Sequence, residues 1–270
     1  MLATAIIVFR ETLEAALVVS IVMAATYGVA GRVLWVGSGV LVGLAGASVM
    51  AAFAGAITAA VEGIGQELLN ASILILAVLM LGWHTLWMSQ HGREIAREMG
   101  DVGKAVAAGD RPLYALAIAA GAAVLREGSE TVLFLFGVAS SGDNSLAEML
   151  SGGVLGGLAG IGVGLLLYRG LLSIPLRYLF AVTNVMIVLL TAGLAAQAAG
   201  FLVQADIIPA LGGPVWDTTT ILSEKSLVGK VLHSLVGYEA RPSGVQVLCY
   251  GLILCGLLLL SARAAKRGQR

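Results

Sequence analysis

Long apolar runs alternate with short polar breaks along most of this 270-residue chain. Seven runs reach the length of about 20 residues that an α-helix needs to cross a bilayer core of about 30 Å. Their expected limits are 3–27, 34–60, 67–90, 113–139, 148–170, 175–200 and 243–262. The stretch 201–242 breaks the pattern, because Asp206, Pro209, Pro214, Asp217, Glu224 and Glu239 punctuate it. It reads as an extramembrane loop carrying a short amphipathic helix or two. Residues 91–111 mix four basic and four acidic side chains and read as a solvated helix or loop. The expected fold class is an all-α integral membrane protein, with one transmembrane domain over 1–270.

Composition agrees with that reading. The chain is 59% hydrophobic and 12% charged, against about 25% charged residues in soluble domains. Sixteen basic and sixteen acidic residues cancel, which gives no case for a nucleic-acid partner. Cys249 and Cys255 lie six residues apart in one apolar run, on different helix faces. They form neither a disulfide framework nor a thiol metal site. No basic stretch precedes the first apolar run, and Arg10 and Glu11 interrupt it. It therefore reads as a retained first helix rather than a signal peptide.

Basic residues in the breaks set the expected topology. Arg32, Arg93, Arg97, Lys104, Arg111, Arg169, Arg177, Arg263, Lys266, Arg267 and Arg270 fall on one side. Only Lys225, Lys230 and Arg241 fall on the other. The expected placement is multi-pass in a cytoplasmic (inner) membrane, with the N-terminus outside and the C-terminus in the cytoplasm.

The remaining two arginines sit inside apolar runs. Arg10-Glu11-Thr12-Leu13-Glu14 and Arg126-Glu127-Gly128-Ser129-Glu130 both read Arg-Glu-x-x-Glu, 116 residues apart. Gly39-Val40-Leu41-Val42-Gly43-Leu44-Ala45-Gly46 also matches Gly153-Val154-Leu155-Gly156-Gly157-Leu158-Ala159-Gly160 at seven of eight positions. Together these suggest a duplication: repeat 1 over about 3–90 and repeat 2 over about 113–200. The external loop (about 201–242) and a last helix (about 243–262) follow. Three spans per copy invert the second copy, giving a 3+3 inverted repeat plus a C-terminal helix. Small residues four apart, Gly39/Gly43 and Gly153/Gly157, are expected to let helices approach closely.

A charge at membrane depth costs roughly 2.5–3.5 kcal/mol on insertion scales, so six in two repeated motifs point to chemistry. Residues three apart share a helix face. Glu11 with Glu14, and Glu127 with Glu130, can therefore converge near the membrane centre if spans 1 and 4 pack together. Carboxylates suit hard cations, and neither motif contains Cys or His. Arg10 and Arg126 lie about 100° around the helix from the first glutamate and can pair with carboxylates of the opposite helix. Four acids and two arginines leave a formal charge of −2. Competing readings are buried salt bridges that fix helix register, a proton relay through the same acids and an intramembrane acid/base enzyme. The last would need more polar groups than Thr12 and Ser129. No G-x-x-x-x-G-K-[ST] loop is present for ATP use.

Two Arg-Glu-x-x-Glu motifs in spans 1 and 4 of a seven-span chain resemble the oxidase-dependent iron permeases, the iron/lead transporter family. The likeness extends to Glu67-Leu68, Trp83-x-x-x-Trp87-Met88, Ala192-Gly193-Leu194-Ala195-Ala196, and the outer stretch from Trp216-Asp217-Thr218 to Gly237-Tyr238. It implies a permease, not an enzyme, importing iron, with Glu11, Glu14, Glu127 and Glu130 as iron ligands and no further cofactor. An extracytoplasmic oxidase or iron-binding partner and a homo-oligomer are compatible with it, and transport of another metal such as lead or manganese stays open. The family pattern implies an acidic residue followed by Gly near Asn70-Ala71, and this chain has neither. Glu62 and Glu67 are the alternatives for external cation capture, though a solvated loop explains them as well. His84 and Met88 share a face of span 3 and read as packing residues. Gln197 is expected to hydrogen-bond another helix. Asp143 and Glu148 read as solvated loop charges.

Overall fold

The structure is a computed structural model that describes residues 1–60, 66–141, 145–170, 176–224 and 226–267. Among them are eight helices and no strand: α1 (Leu2–Ala25), α2 (Arg32–Ala60), α3 (Gln66–Ala107), α4 (Tyr114–Ser140), α5 (Leu146–Tyr168), α6 (Leu176–Gln204), α7 (Leu227–Val236) and α8 (Gly244–Arg267). Lipid offers no hydrogen-bond partner, so an apolar run satisfies its backbone by coiling into a helix. Five stretches are long and apolar enough to span: 32–56, 66–88, 146–168, 180–204 and 244–263. α1 and α4, at 24 and 27 residues, are also long enough, but each carries the three charges of a motif. The chain is a multi-pass helical membrane protein.

α3 is one continuous helix of 42 residues, about 63 Å at 1.5 Å per residue. It outruns the bilayer core, and the charged stretch expected as helix or loop is helical through Ala107.

Glycine sets the packing. α1 packs along α5, and α2 along α4. A Cβ at Gly43 would lie 2.6 Å from the Gly121 carbonyl oxygen, and one at Gly39 would overlap the Ala117 carbonyl. A Cβ at Gly160 would lie 2.9 Å from the Phe9 carbonyl oxygen, and one at Gly156 would overlap the Ala5 carbonyl. Only glycine lets backbones approach this closely. The expected stripe in α5 is corrected by one register. Gly152, Gly156, Gly160 and Gly164 are the buried positions, whereas Gly153 meets nothing within 4 Å. The face turned to α1 is set by the four-residue spacing.

Two apolar clusters define the ends of the bundle. One joins the start of α1 (Ala3, Ile7) to Leu74, Leu81, Phe134, Val138 and Leu194. The other joins the end of α1 (Val22) to Val36, Val106, Leu116 and Ala120. The start of α1 therefore meets the end of α4, and the end of α1 meets the start of α4. These two helices run antiparallel.

The segment between α6 and α8 folds back over the first end. Ser226 caps α7 by accepting from the Gly229 amide at 2.9 Å, and Gly237 closes it at φ 68°. The backbone of Gly237 rests directly on Gly193 of α6. Gln197 of α6 bonds His233 of α7 at 2.9 Å, as expected of a polar group at depth. Trp216 donates to the Glu239 carbonyl at 3.1 Å. Thr219 donates to Asp217 through its hydroxyl (2.6 Å) and amide (3.1 Å). These bonds, with Arg241 at 3.2 Å, hold the Asp217 carboxyl below its usual range.

The glycine contacts carry a prediction. Gly156→Ala forces a methyl against the α1 backbone and should cost about 1–3 kcal/mol. Gly153→Ala should be neutral or slightly stabilising. Unfolding of the purified variants in detergent, followed by tryptophan fluorescence, checks the contrast. Equal midpoints would refute the corrected register.

Candidate metal centre

Arg10, Glu11 and Glu14 lie about 12–18 Å along α1 from its start, near the middle of a bilayer core. All three are buried, at 4%, 1% and 4% exposure. The (i, i+4) spacing brings the Arg10 Nε to Glu14 Oε1 at 3.0 Å, and Nη1 lies 3.7 Å from Glu11 Oε1. α4 repeats the arrangement. Arg126 Nε lies 3.2 Å from Glu130 Oε1 and 3.7 Å from Glu127 Oε1. The expected pairing of each arginine with the opposite helix is therefore corrected. A long side chain reaches one turn along its own helix and finds its motif's second glutamate there.

The antiparallel packing of α1 and α4 brings the two motifs together, and α3 adds a residue that neither motif contains. His84 is 1% exposed. Its Nε2 lies 3.9 Å from Glu11 Oε2 and 3.8 Å from Glu14 Oε2, and its Nδ1 meets Glu130 Oε2. Glu11, His84, Glu127 and Glu130 each offer one ligand atom within 4.8 Å of the others. Reading His84 as a packing residue alone missed these carboxylate neighbours. A lone histidine in an apolar run carries no local signal of what a distant helix turns towards it. The four motif glutamates were legible from spacing alone.

Many of these buried atoms have no hydrogen-bond partner: both Glu11 oxygens, Glu14 Oε2, Glu127 Oε2 and His84 Nε2. Buried polar atoms are normally satisfied. Carboxylate oxygens make up most of this set, with Arg10 Nη1 also unpartnered beside them, and an excess of inward-facing acceptors is suited to a cation. Glu67 is exposed at the start of α3, outside the cluster, and about 25 Å along the helix from His84. Glu62 and Asp143 lie outside the described residues.

Two voids of unequal size flank the site among the described residues. A cavity of about 590 Å³ runs from Arg126 and Glu127 past Trp87, His91, Glu94 and Glu98 to Arg111. The void near the other end, between Ala3, Val138, Gln197 and His233, is about 20 Å³, room for about one water. Arg126 stands at the boundary of the large cavity. Its guanidinium lies 4.4 Å over the Trp87 ring, which in turn stacks on His91 at 4.9 Å. Arg126 is 32% exposed along its side chain, against 4% for Arg10.

A model of the iron permease FTR1 family matches residues 1–268 of the chain. Among curated relatives, the ferrous iron permease EfeU of Escherichia coli O6:H1 is 31% identical over 273 residues, covering 98% of both chains. The ferrous iron permease EfeU of Yersinia pestis is 32% identical over 260 residues, covering 94% of this chain and 91% of its own. That of Shigella sonnei is 30% identical over 267 residues, covering 97% and 96%. No solved structure matches the chain.

The unequal burial of the two arginines predicts unequal costs. Arg10→Gln leaves Glu11 and Glu14 buried beside no cation and should destabilise by about 3–5 kcal/mol. Arg126→Gln, at the cavity edge, should cost clearly less. Denaturation midpoints in detergent at neutral pH measure both, and equal losses would contradict the asymmetry.

Proposed function

The chain belongs to the iron permease FTR1 family, and on that premise we propose that it imports iron across the cytoplasmic (inner) membrane through its two Arg-Glu-x-x-Glu motifs. Glu11, Glu14, Glu127 and Glu130 hold the transported ion, and Arg10 and Arg126 keep the emptied site from carrying four uncompensated charges. The observation behind this reading is the set of buried carboxylate oxygens with no donor, turned towards one another from two antiparallel helices. The formal charge of −2 matches a divalent ion, and the relatives' names specify ferrous iron. The same oxygen-rich set also suits manganese or lead, and transport of another divalent ion is the second reading.

Seven spans, with α1–α3 and α4–α6 as inverted repeats and α8 outside them, account for the packing. The pair α1/α5 corresponds to α4/α2 under the repeat, and the contacts correspond too. Gly46 packs against Leu125 and Gly160 against Phe9, offsets of 114 and 116 residues. One permease domain over 1–270 follows. With the N-terminus outside, the large cavity opens to the cytoplasm and the conformation faces inward. Iron is the cargo, and no resident cofactor is needed. An enzymatic role has little to draw on, since the Ser129 hydroxyl donates to the Leu125 carbonyl at 2.6 Å and sits against Met50. An extracytoplasmic oxidase or iron-binding partner would meet the chain at the outer segment 205–243. Glu67 at the start of α3, with Glu62 before it in sequence, would serve capture, and a homo-oligomer would pack through lipid-facing helices.

Two measurements test this. Glu14→Ala and Glu130→Ala should abolish radiolabelled iron accumulation in proteoliposomes while membrane insertion persists, and Glu14→Asp should fall well below wild type. Wild-type uptake by Glu14→Ala would remove the site assignment. For orientation, Ala122→Cys in a chain lacking Cys249 and Cys255 should react with a membrane-impermeant thiol reagent from the cytoplasmic face. Reaction from the outer face alone would reverse the topology.

A further inference from the structure

We propose that His84 is a nitrogen ligand of the transported ion and the residue that favours borderline transition-metal ions over hard ones, an inference that rests on the carboxylate-site reading. His84 comes from α3, outside both motifs, and is fully enclosed by α1, α4 and its own helix. Its ring is held edge-on to Phe134, with centroids 6.1 Å apart at 71°, so its direction is fixed by packing.

The two ring nitrogens have different surroundings. Nδ1 meets the Glu130 carboxylate, and an N–H donated there leaves the lone pair on Nε2. Metal-bound histidines are commonly oriented by such a carboxylate on the other nitrogen. Neither nitrogen makes a hydrogen bond of ordinary geometry, and only Nδ1 is set close against a carboxylate. At 3.9 and 3.8 Å from Glu11 and Glu14, Nε2 is beyond hydrogen-bonding range. These are separations at which two atoms can share an ion. Donors each about 2.1 Å from one metal lie about 3 Å apart when adjacent in an octahedron and about 4.2 Å when opposite.

The division of labour within the site follows. Glu130 gives one oxygen to Arg126 and the other to His84, which makes it the positioning residue of the imidazole. Glu11, Glu14 and Glu127, like Glu130 Oε2, keep oxygens without a hydrogen-bond partner that can face the ion. Four carboxylates alone would serve magnesium, calcium or manganese as readily as iron. An imidazole raises affinity for the later first-row ions, ferrous above manganous, and adds nothing for the alkaline earths.

The test uses reconstituted full-length protein. Manganous ion should compete with ferrous uptake roughly ten-fold or more effectively in His84→Gln than in wild type, with part of the iron uptake retained. A second measurement does not depend on that variant folding. Pulsed electron paramagnetic resonance of the copper(II)-loaded His91→Gln protein should show modulation from a directly bound imidazole, altered by ¹⁵N-histidine labelling. The other imidazole left, His233, has its nitrogens against Gln197 and the Tyr238 carbonyl. Glu130→Gln, which keeps an acceptor for Nδ1–H, should retain that signal, and Glu130→Ala should weaken it. Absent imidazole modulation, or an unchanged manganese-to-iron competition ratio in His84→Gln, overturns the assignment of His84. Iron transport by Glu14→Ala overturns the underlying carboxylate reading as well.

Discussion

Ionised groups at membrane depth must neutralise one another, and the rest of this bundle is arranged around that requirement. Each motif half-solves the problem alone. Its arginine reaches one turn along the helix to its second glutamate, but the first glutamate is left over, so each helix carries a local excess of one negative charge. Packing α1 against α4 brings two such excesses together among buried side chains. Like charges in low dielectric repel strongly, so this arrangement needs either a cation between the helices or a scaffold stiff enough to hold them there.

Glycine provides that scaffold. Each motif helix lies along a partner whose glycines allow backbone contact: α1 on Gly152, Gly156 and Gly160, and α4 on Gly39 and Gly43. Such contacts gather many weak dispersion attractions over a long interface. They also leave little freedom for either motif helix to rotate its glutamates away. The two halves use the same device, yet the charges they carry are not equivalent in this conformation. Arg10 is sealed, while Arg126 lies against Trp87 at the end of a wide cavity. The two motifs are alike in sequence, and the structure surrounds them unequally, with Arg10 enclosed and Arg126 beside a wide cavity.

Much of this was legible in the residues. Apolar run lengths gave the helices, and the i, i+3 spacing gave the four glutamates. The proline-punctuated break gave the segment between α6 and α8 with its short α7, and Gln197 announced its partner in kind if not in identity. What escaped had a common cause. His84, the glycine face of α5 and the arginine partners all depend on which side of a helix is turned inward. In lipid, apolar residues cover every side, so the amphipathic stripe that reports rotation in a soluble helix is missing. His84 lies among Leu81, Trp83 and Leu86, and nothing local distinguishes its face. Only a neighbouring helix supplies that information.

On the proposed reading, charge also connects occupancy to movement. The empty site has a formal charge of −2, and in the present conformation Arg126 and Glu127 border a cavity wide enough for water. Solvation through that opening lowers the cost of the uncompensated acids. Closing both ends around an empty site would remove the water and restore the full penalty, whereas a divalent ion makes the enclosed cluster formally neutral. Passage through a closed intermediate is then far less costly loaded than empty. The motif arginines fit this account because they reduce four charges to two, the number that one ferrous ion can cancel. A third arginine would neutralise the empty site further and weaken the link between binding the ion and moving it.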